Sequence, residues 1–280
     1  MSLAPTLLLP LLLSPALATQ SKTGKQQVRH VNTPIGLIRV ASDEEAKQHI
    51  TLLKKHVLPA SAKNKKAKKR KKKKKRQKVE ADTSLVTRLE AVEALAEIQH
   101  KSFVKPLLQI LEHDPSSAVQ TKAAKAIQAQ PKKQVLPVAK KLLEEKRVLA
   151  LGTLAAPMIR LIRYYGVGQN TWNKLYRRFH DMGTNAQIAL CEAVTARKDY
   201  EALTMLLRNL DPPAPANVED ASNPPASYWE ARWKAWQAFK PSLQEGLKVL
   251  LGKSFEKSKD AMKYIKSQGG IRKLKKKLHG

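Results

Sequence analysis

The sequence predicts an all-α fold: a short α–α superhelix of stacked helix pairs, with a C-terminal helical extension and a disordered basic segment. Three observations carry that prediction. Apolar residues between 82 and 210 recur at three- and four-residue steps, the period of one helix face. Ala and Leu supply most of the apolar surface, while 4 Trp, 6 Tyr and 4 Phe are the only aromatic residues among 280, a composition that favours helices. Helix pairs of similar pattern also return at a nearly fixed interval, as set out below.

In chain order, Leu7 to Leu13 is an apolar run and Ala16-Leu17-Ala18 offers small residues where a signal peptidase needs them. Residues 1–18 therefore read as a secretory signal peptide, and the chain as exported to periplasm, cell surface or medium. Two features depart from that pattern: Met1 to Thr6 holds no Lys or Arg, and prolines stand at 5, 10 and 15. The run is well short of the ~20 apolar residues that span a bilayer. Residues 19–41 are polar and then mixed, with Pro34 to Val40 either a short strand or extended chain. Ser42 with Glu45 has capping-box spacing and opens a helix over 42–58, which Pro59 ends. Residues 59–81 form a polybasic disordered tether.

From Asp82, Leu85, Leu89, Val92 and Leu95 with Ile98 fall on one helix face, and Ser102 to Glu112 makes a second helix. Asp114-Pro115 reads as N-cap and N1 of a third. Gln130-Pro131 breaks it, and Val135, Val138, Leu142 and Leu143 make a fourth. Ala94 to Ala126 is 32 residues, Pro106 to Pro137 is 31, and Ala126 to Ala193 is 67, roughly two periods. The unit between, Val148 to Phe179, looks degenerate. Helix pairs of this length, with inner-turn Ala, an early Pro and Asp-Pro between units, resemble HEAT repeats over 82–210. The resemblance implies neighbours that must stack, because each pair has an apolar face it cannot bury alone.

Asp211 to Ala226, with five prolines, is a linker, and 227–280 holds further helices with a basic tail, Arg272 to Lys277. Thr184 with Gln187 and Ser227 with Glu230 are further capping boxes, Pro241 breaks the helix that Ser227 opens, and Gly252 ends the next. Leu247 to Phe255, with Ala261, Tyr264 and Ile265, is similar to the closing segment of some exported bacterial HEAT-repeat proteins, which carry no assigned chemistry.

The chain has 53 Lys+Arg against 23 Asp+Glu, a formal charge of +30. Thirteen of these positive charges lie in the 16 residues from Lys63 to Lys78, leaving +17 elsewhere. Such a tract cannot pack, because desolvating like charges costs far more than its methylenes return. Lys65, Lys66, Lys68, Lys69, Arg70, Lys71, Lys72, Lys73, Lys74, Lys75, Arg76 and Lys78 are therefore candidate polyanion contacts.

A second candidate set lies in the array. Trp172, Tyr176 and Phe179 share a helix face, with Lys174, Arg177 and Arg178 largely elsewhere. Arg160 and Arg163, beside Tyr164 and Tyr165, extend the same patch. Arg160, Arg163, Trp172, Lys174, Arg177 and Arg178 are thus candidate groove contacts. Trp229, Trp233 and Trp236 fall on one stripe, read as the buried face of a helix closing the array rather than as a stacking platform. Cys191, the only cysteine, sits on an apolar helix face and reads as core. His49 and His56 are too far apart in sequence for helical chelation, and no metal-binding, phosphate-loop or nucleophile-elbow sequence occurs.

The expected function is a non-enzymatic scaffold, with no cofactor and no metal. Its partner is a protein or an anionic polymer: nucleic acid, acidic polysaccharide or an anionic lipid surface. The alternative is a nuclear or nucleolar RNA- or DNA-associated protein with the Lys run as its targeting signal. A third reading, a DNA glycosylase or lyase, follows only from enzymes built on HEAT-like arrays.

Overall fold

The structure is a computed structural model that describes residues 28–58, 84–213 and 223–279. The leader read at 1–18, the tether at 59–81 and most of the linker at 211–226 lie outside the described residues.

The described chain begins with a hairpin, β1 (His30–Thr33) and β2 (Gly36–Val40), paired antiparallel with Thr33 opposite Gly36. Pro34 and Ile35 form the two-residue turn, Gly36 has φ +120°, and Thr33 Oγ1 donates to Gly36 O at 2.8 Å. Helix α1 (Asp43–His56) follows. Ser42 Oγ accepts from Glu45 N at 3.2 Å, three acids fill the first turn, and Lys54, Lys55 and His56 fill the last. Both ends therefore complement the helix dipole.

Next come α2 (Leu85–Glu93), α3 (Val104–His113), α4 (Ser117–Gln128), α5 (Lys132–Leu142), the short α6 (Lys146–Ala150), α7 (Gly152–Tyr165), α8 (Gln169–Arg177), α9 (Thr184–Arg197) and α10 (Leu203–Arg208). Helices α11 (Ala226–Leu251), α12 (Ser258–Ser267) and α13 (Ile271–His279) end the described chain. Helices α2, α4, α7, α9 and α11 pack in succession as one layer, and α3, α5, α8 and α10 form the second. The core runs unbroken between them, from Leu53 on α1 to Leu274 on α13. Helix α1 covers the first layer's open end, and α11 to α13 close the other. Terminal units of a stacked array need such covers.

Several elements differ from the sequence reading. Helix α2 stops at Glu93, so Leu95 lies on a 3₁₀ turn and Ile98 in a two-residue strand, β3 (Ile98–Gln99), parallel to β2. Buried Gln130 holds this crossing in place. Its amide donates to the carbonyls of Leu95, Ile98 and Ala126 at 2.9 to 3.1 Å and accepts from His100 N at 3.0 Å. Asp114 does not cap α4, which begins at Ser117 with Ser116 as its N-cap. The Asp114 carboxylate is buried and accepts from Arg88 at 3.1 and 3.3 Å and from Ser116 N at 2.9 Å.

The unit at Val148 to Phe179 is a full helix pair, α7 and α8, displaced by the insertion of α6. Gly152 and Gly183 set this packing. An added Cβ on Gly183 would lie 2.5 Å from Ala150 O and 2.7 Å from Gly152 N, so the starts of α7 and α9 touch backbone to backbone. Helices α9 and α11 take no side-chain N-cap bond: Gln187 donates instead to Phe179 O, and Pro225 precedes α11. Pro241 does not break α11, which runs 26 residues through it. Buried Leu243, Leu247, Leu250 and Leu251 hold the distal half against the array, outweighing the ~3 kcal/mol that a mid-helix proline costs.

Candidate functional site

Second-layer helices end on cations: Lys140 and Lys141 in the last turn of α5, Lys174 and Arg177 in α8, Arg208 in α10. A cation there complements the negative end of the helix dipole. Stacking then brings the same position of successive units to one face.

Three cavities run between these ends. The first, about 360 Å³, is lined by Lys140, Leu143, Glu144, Lys174, Arg177 and Arg178 among others. The second, about 480 Å³, includes Arg177, His180, Glu201 and Arg208, and the third, about 330 Å³, includes His180, Arg208, Asp211, Arg232 and Trp236. Arg177 borders the first two, and His180 with Arg208 borders the last two. The cavities therefore join into one furrow.

Its walls are cationic. Lys140, Lys174, Arg177, Arg178, His180, Arg208 and Arg232 face Glu144, Glu201 and Asp211. Two of these carboxylates are occupied: Glu144 pairs with Lys174 at 3.6 Å, and Asp211 accepts from Ser258 N at 2.9 Å and from its hydroxyl. Lys140, Arg177 and Arg208 are exposed and face no carboxylate partner among the described residues. Their field is unopposed, which is the condition for attracting an anion.

A buried network fixes α8 and thus Arg177. Asp199 Oδ2 accepts from Tyr176 at 2.6 Å, Gln169 at 2.8 Å and Arg197 at 3.2 Å, while Oδ1 accepts from Glu201 N at 3.1 Å. Burial disfavours the Asp199 charge, yet these donors, Tyr176 foremost, hold its pKa below the usual value. Tyr176 is shifted the opposite way, by burial first and then by donating to the carboxylate. The Arg197 guanidinium lies 4.6 Å from the Trp172 ring centroid, closing the cluster.

The predicted groove residues fall into different roles. Arg177 and Lys174 line the furrow. Arg178 borders it, but its guanidinium donates to Leu143 O at 3.2 Å and Glu144 O at 2.9 Å, satisfying the end of α5. Trp172 is corrected: it is fully buried under Arg197 and presents no surface. Arg160 and Arg163 on α7 line none of the three cavities, and Arg160 pairs with Glu192 at 3.3 Å. Lys65 to Lys78 lie outside the described residues. Lys140, His180, Arg208 and Arg232 escaped sequence reasoning; the one available signal was a cation recurring in the last turn of each second helix.

The tryptophan stripe also divides. Trp236 is buried and donates to Asn209 O at 3.2 Å, whereas Trp229 is half-buried and Trp233 is 47% exposed. The stripe closes the array only at Trp236. Cys191 is fully buried, and burial pushes its thiol pKa up to about 12. That leaves no thiolate for chemistry at neutral pH.

A second cationic surface lies at the C-terminal end. Residues 253–279 contain ten Lys or Arg against Glu256 and Asp260, a net +8, and those ten are all exposed. Leu274 is buried and Leu278 packs on Gly252, so α13 turns its leucines inward. Among the described residues, no group of three His, Cys, Asp or Glu could hold a metal, and no helix is long and apolar enough to cross a membrane.

Residues 76–155 match the family model of HEAT repeats. No curated protein and no solved structure gives a significant match. The matched segment spans α2 to α5 and the start of α7, where paired helices stack layer on layer. This chain therefore carries HEAT repeats, built into a HEAT-like α-solenoid, a scaffold of the kind that mediates protein interaction.

Proposed function

We propose that the chain is a non-enzymatic helical-repeat scaffold that binds a polyanion along the furrow, with the Lys63 to Lys78 run adding electrostatic capture. One observation carries the reading. Lys140, Arg177 and Arg208 stand unopposed at equivalent ends of successive second-layer helices, on cavities that share walls. A rigid array holds these cations at fixed spacing, so a flexible anionic polymer lying across the units meets them in turn without reorganising the protein. The tether reads charge density alone and contributes affinity without sequence preference. The leader at 1–18 agrees with an exported protein and a polyanion met outside the cytoplasm.

The test is salt-graded binding of a labelled polyanion to the chain with and without residues 63–78. Contact with ~6–8 phosphates gives a slope of log K against log salt near −5 to −7. Deletion should make that slope shallower and leave residual binding. Residual binding that disappears in Arg177→Glu/Arg208→Glu supports the furrow. Complete loss on deletion alone would assign the activity to the tether and remove the furrow from it.

A further inference from the structure

We propose that the N-terminal overhang of α11 is a base-stacking platform for single-stranded nucleic acid whose backbone continues into the furrow. This rests on the polyanion reading of the furrow and names the polymer. Residues 226–234 precede the part of α11 that packs on the array, and every one is exposed except half-buried Trp229. Tyr228 is 43% and Trp233 47% exposed. At ~100° per residue, Tyr228, Trp229, Arg232 and Trp233 lie on or beside the stripe that buries Trp236 and Phe239 further along. The apolar face thus outruns the layer it packs against.

Single exposed apolar residues are ordinary on a protein surface, but three large aromatics within two turns of one helix form a contiguous patch. The patch is ordered by its own contacts. Trp229 Nε1 donates to Pro224 O at 3.1 Å, and the Tyr228 and Trp229 rings meet edge to face at 5.0 Å and 84°. Arg232 donates to Tyr228 Oη at 2.8 Å with its guanidinium 5.3 Å from that ring centroid.

Arg232 ties the patch to the furrow. It lines the third cavity together with Arg208 and His180, so one side chain both flanks the aromatic surface and extends the cationic wall. Aromatic faces beside a cationic track match a polymer with π-faces on one side and phosphates on the other. Only unpaired bases present such faces; a duplex buries them in its own stack. A base-free polyanion satisfies the cations and leaves the rings uncovered.

The experiment measures affinity of the full chain for three probes at matched salt: single-stranded oligothymidylate, a duplex, and inorganic polyphosphate. The oligothymidylate should bind most tightly and quench tryptophan fluorescence. Tyr228→Ala/Trp233→Ala should lower its affinity about tenfold or more for each stack lost, leave polyphosphate affinity unchanged, and leave the salt slope unchanged. Trp233→Phe should restore most of the loss, and Tm should not move, because both side chains are exposed. Equal affinity for all three probes, or a double variant that binds oligothymidylate like the native chain, overturns the platform and leaves the furrow standing. No binding of any probe overturns both readings. Capture of a protein through Trp233 without oligothymidylate binding overturns the nucleic-acid assignment.

Discussion

Replacing Asp114 by Ala should cost far more than the loss of a helix cap. Asp114 is 2% exposed and Arg88 8%, with their contacts at 3.1 and 3.3 Å. Removing the carboxylate strands the guanidinium in the space between α2 and the end of α3. Breaking one side of a buried pair costs about 3–5 kcal/mol. The acceptor of Ser116 N is lost as well, adding about 1 kcal/mol at the turn before α4. Against a total stability of roughly 5–15 kcal/mol, the variant should be close to unfolding at moderate temperature. Asp114→Asn keeps an oxygen for Ser116 and should cost less. Arg88→Met/Asp114→Leu removes both charges and should recover most of the loss. Urea denaturation followed by circular dichroism, with the m-value held constant, measures each step. An Ala variant that loses less than about 1 kcal/mol would refute the buried-pair account and return Asp114 to a simple turn residue.

Gly183→Ala should destabilise by about 1–3 kcal/mol, measured in the same assay, since its Cβ would fall 2.5 Å from Ala150 O; Gly168→Ala, which meets nothing within 4 Å, is the control. Tyr176→Phe removes a 2.6 Å donor from the Asp199 carboxylate and should cost about 1.5–3 kcal/mol at pH 7. The Asp199 pKa lies below its unfolded value, so its contribution is present above the ordinary carboxylate range and is lost as pH falls through the folded value. The gap between native and Phe variant should therefore narrow below about pH 4. A gap constant from pH 7 to pH 2 would contradict the linkage.

Fold class was legible because its evidence is local. A helix face repeats every three or four residues, and the pair-to-pair spacing of 31 and 32 residues shows in one chain without any partner. What escaped depends on contacts between distant units. Asp114 has the local appearance of an N-cap, yet its carboxylate binds Arg88, 26 residues earlier. Pro241 has the appearance of a breaker, and only the leucines packed behind it keep α11 whole. The degenerate look of 148–179 comes from α6, which shifts the register, while the close approach of Gly152 and Gly183 restores the stacking.

The site divides along the same line. Arg177 was found because aromatic and basic residues alternate around it. Arg208 and Arg232 were not, because nothing near either in sequence marks it; stacking alone brings them beside His180. Trp172 misled for the converse reason. An aromatic among cations looks like a contact surface, but here the cation over its ring is Arg197 from α9, and the pair is interior. The tryptophans of α11 misled in the opposite direction, since a stripe shows which residues share a face and not how far the neighbouring layer extends.

The central claim is that the array itself, and not only its basic tether, holds a polyanion. The most direct measurement is the salt dependence of single-stranded oligonucleotide binding by the chain lacking residues 63–78, compared with the same deletion carrying Arg177→Glu and Arg208→Glu. The account predicts residual binding with a clear negative slope in the first and its loss in the second, with unchanged Tm. Identical binding by the two, or none by the first, would contradict it.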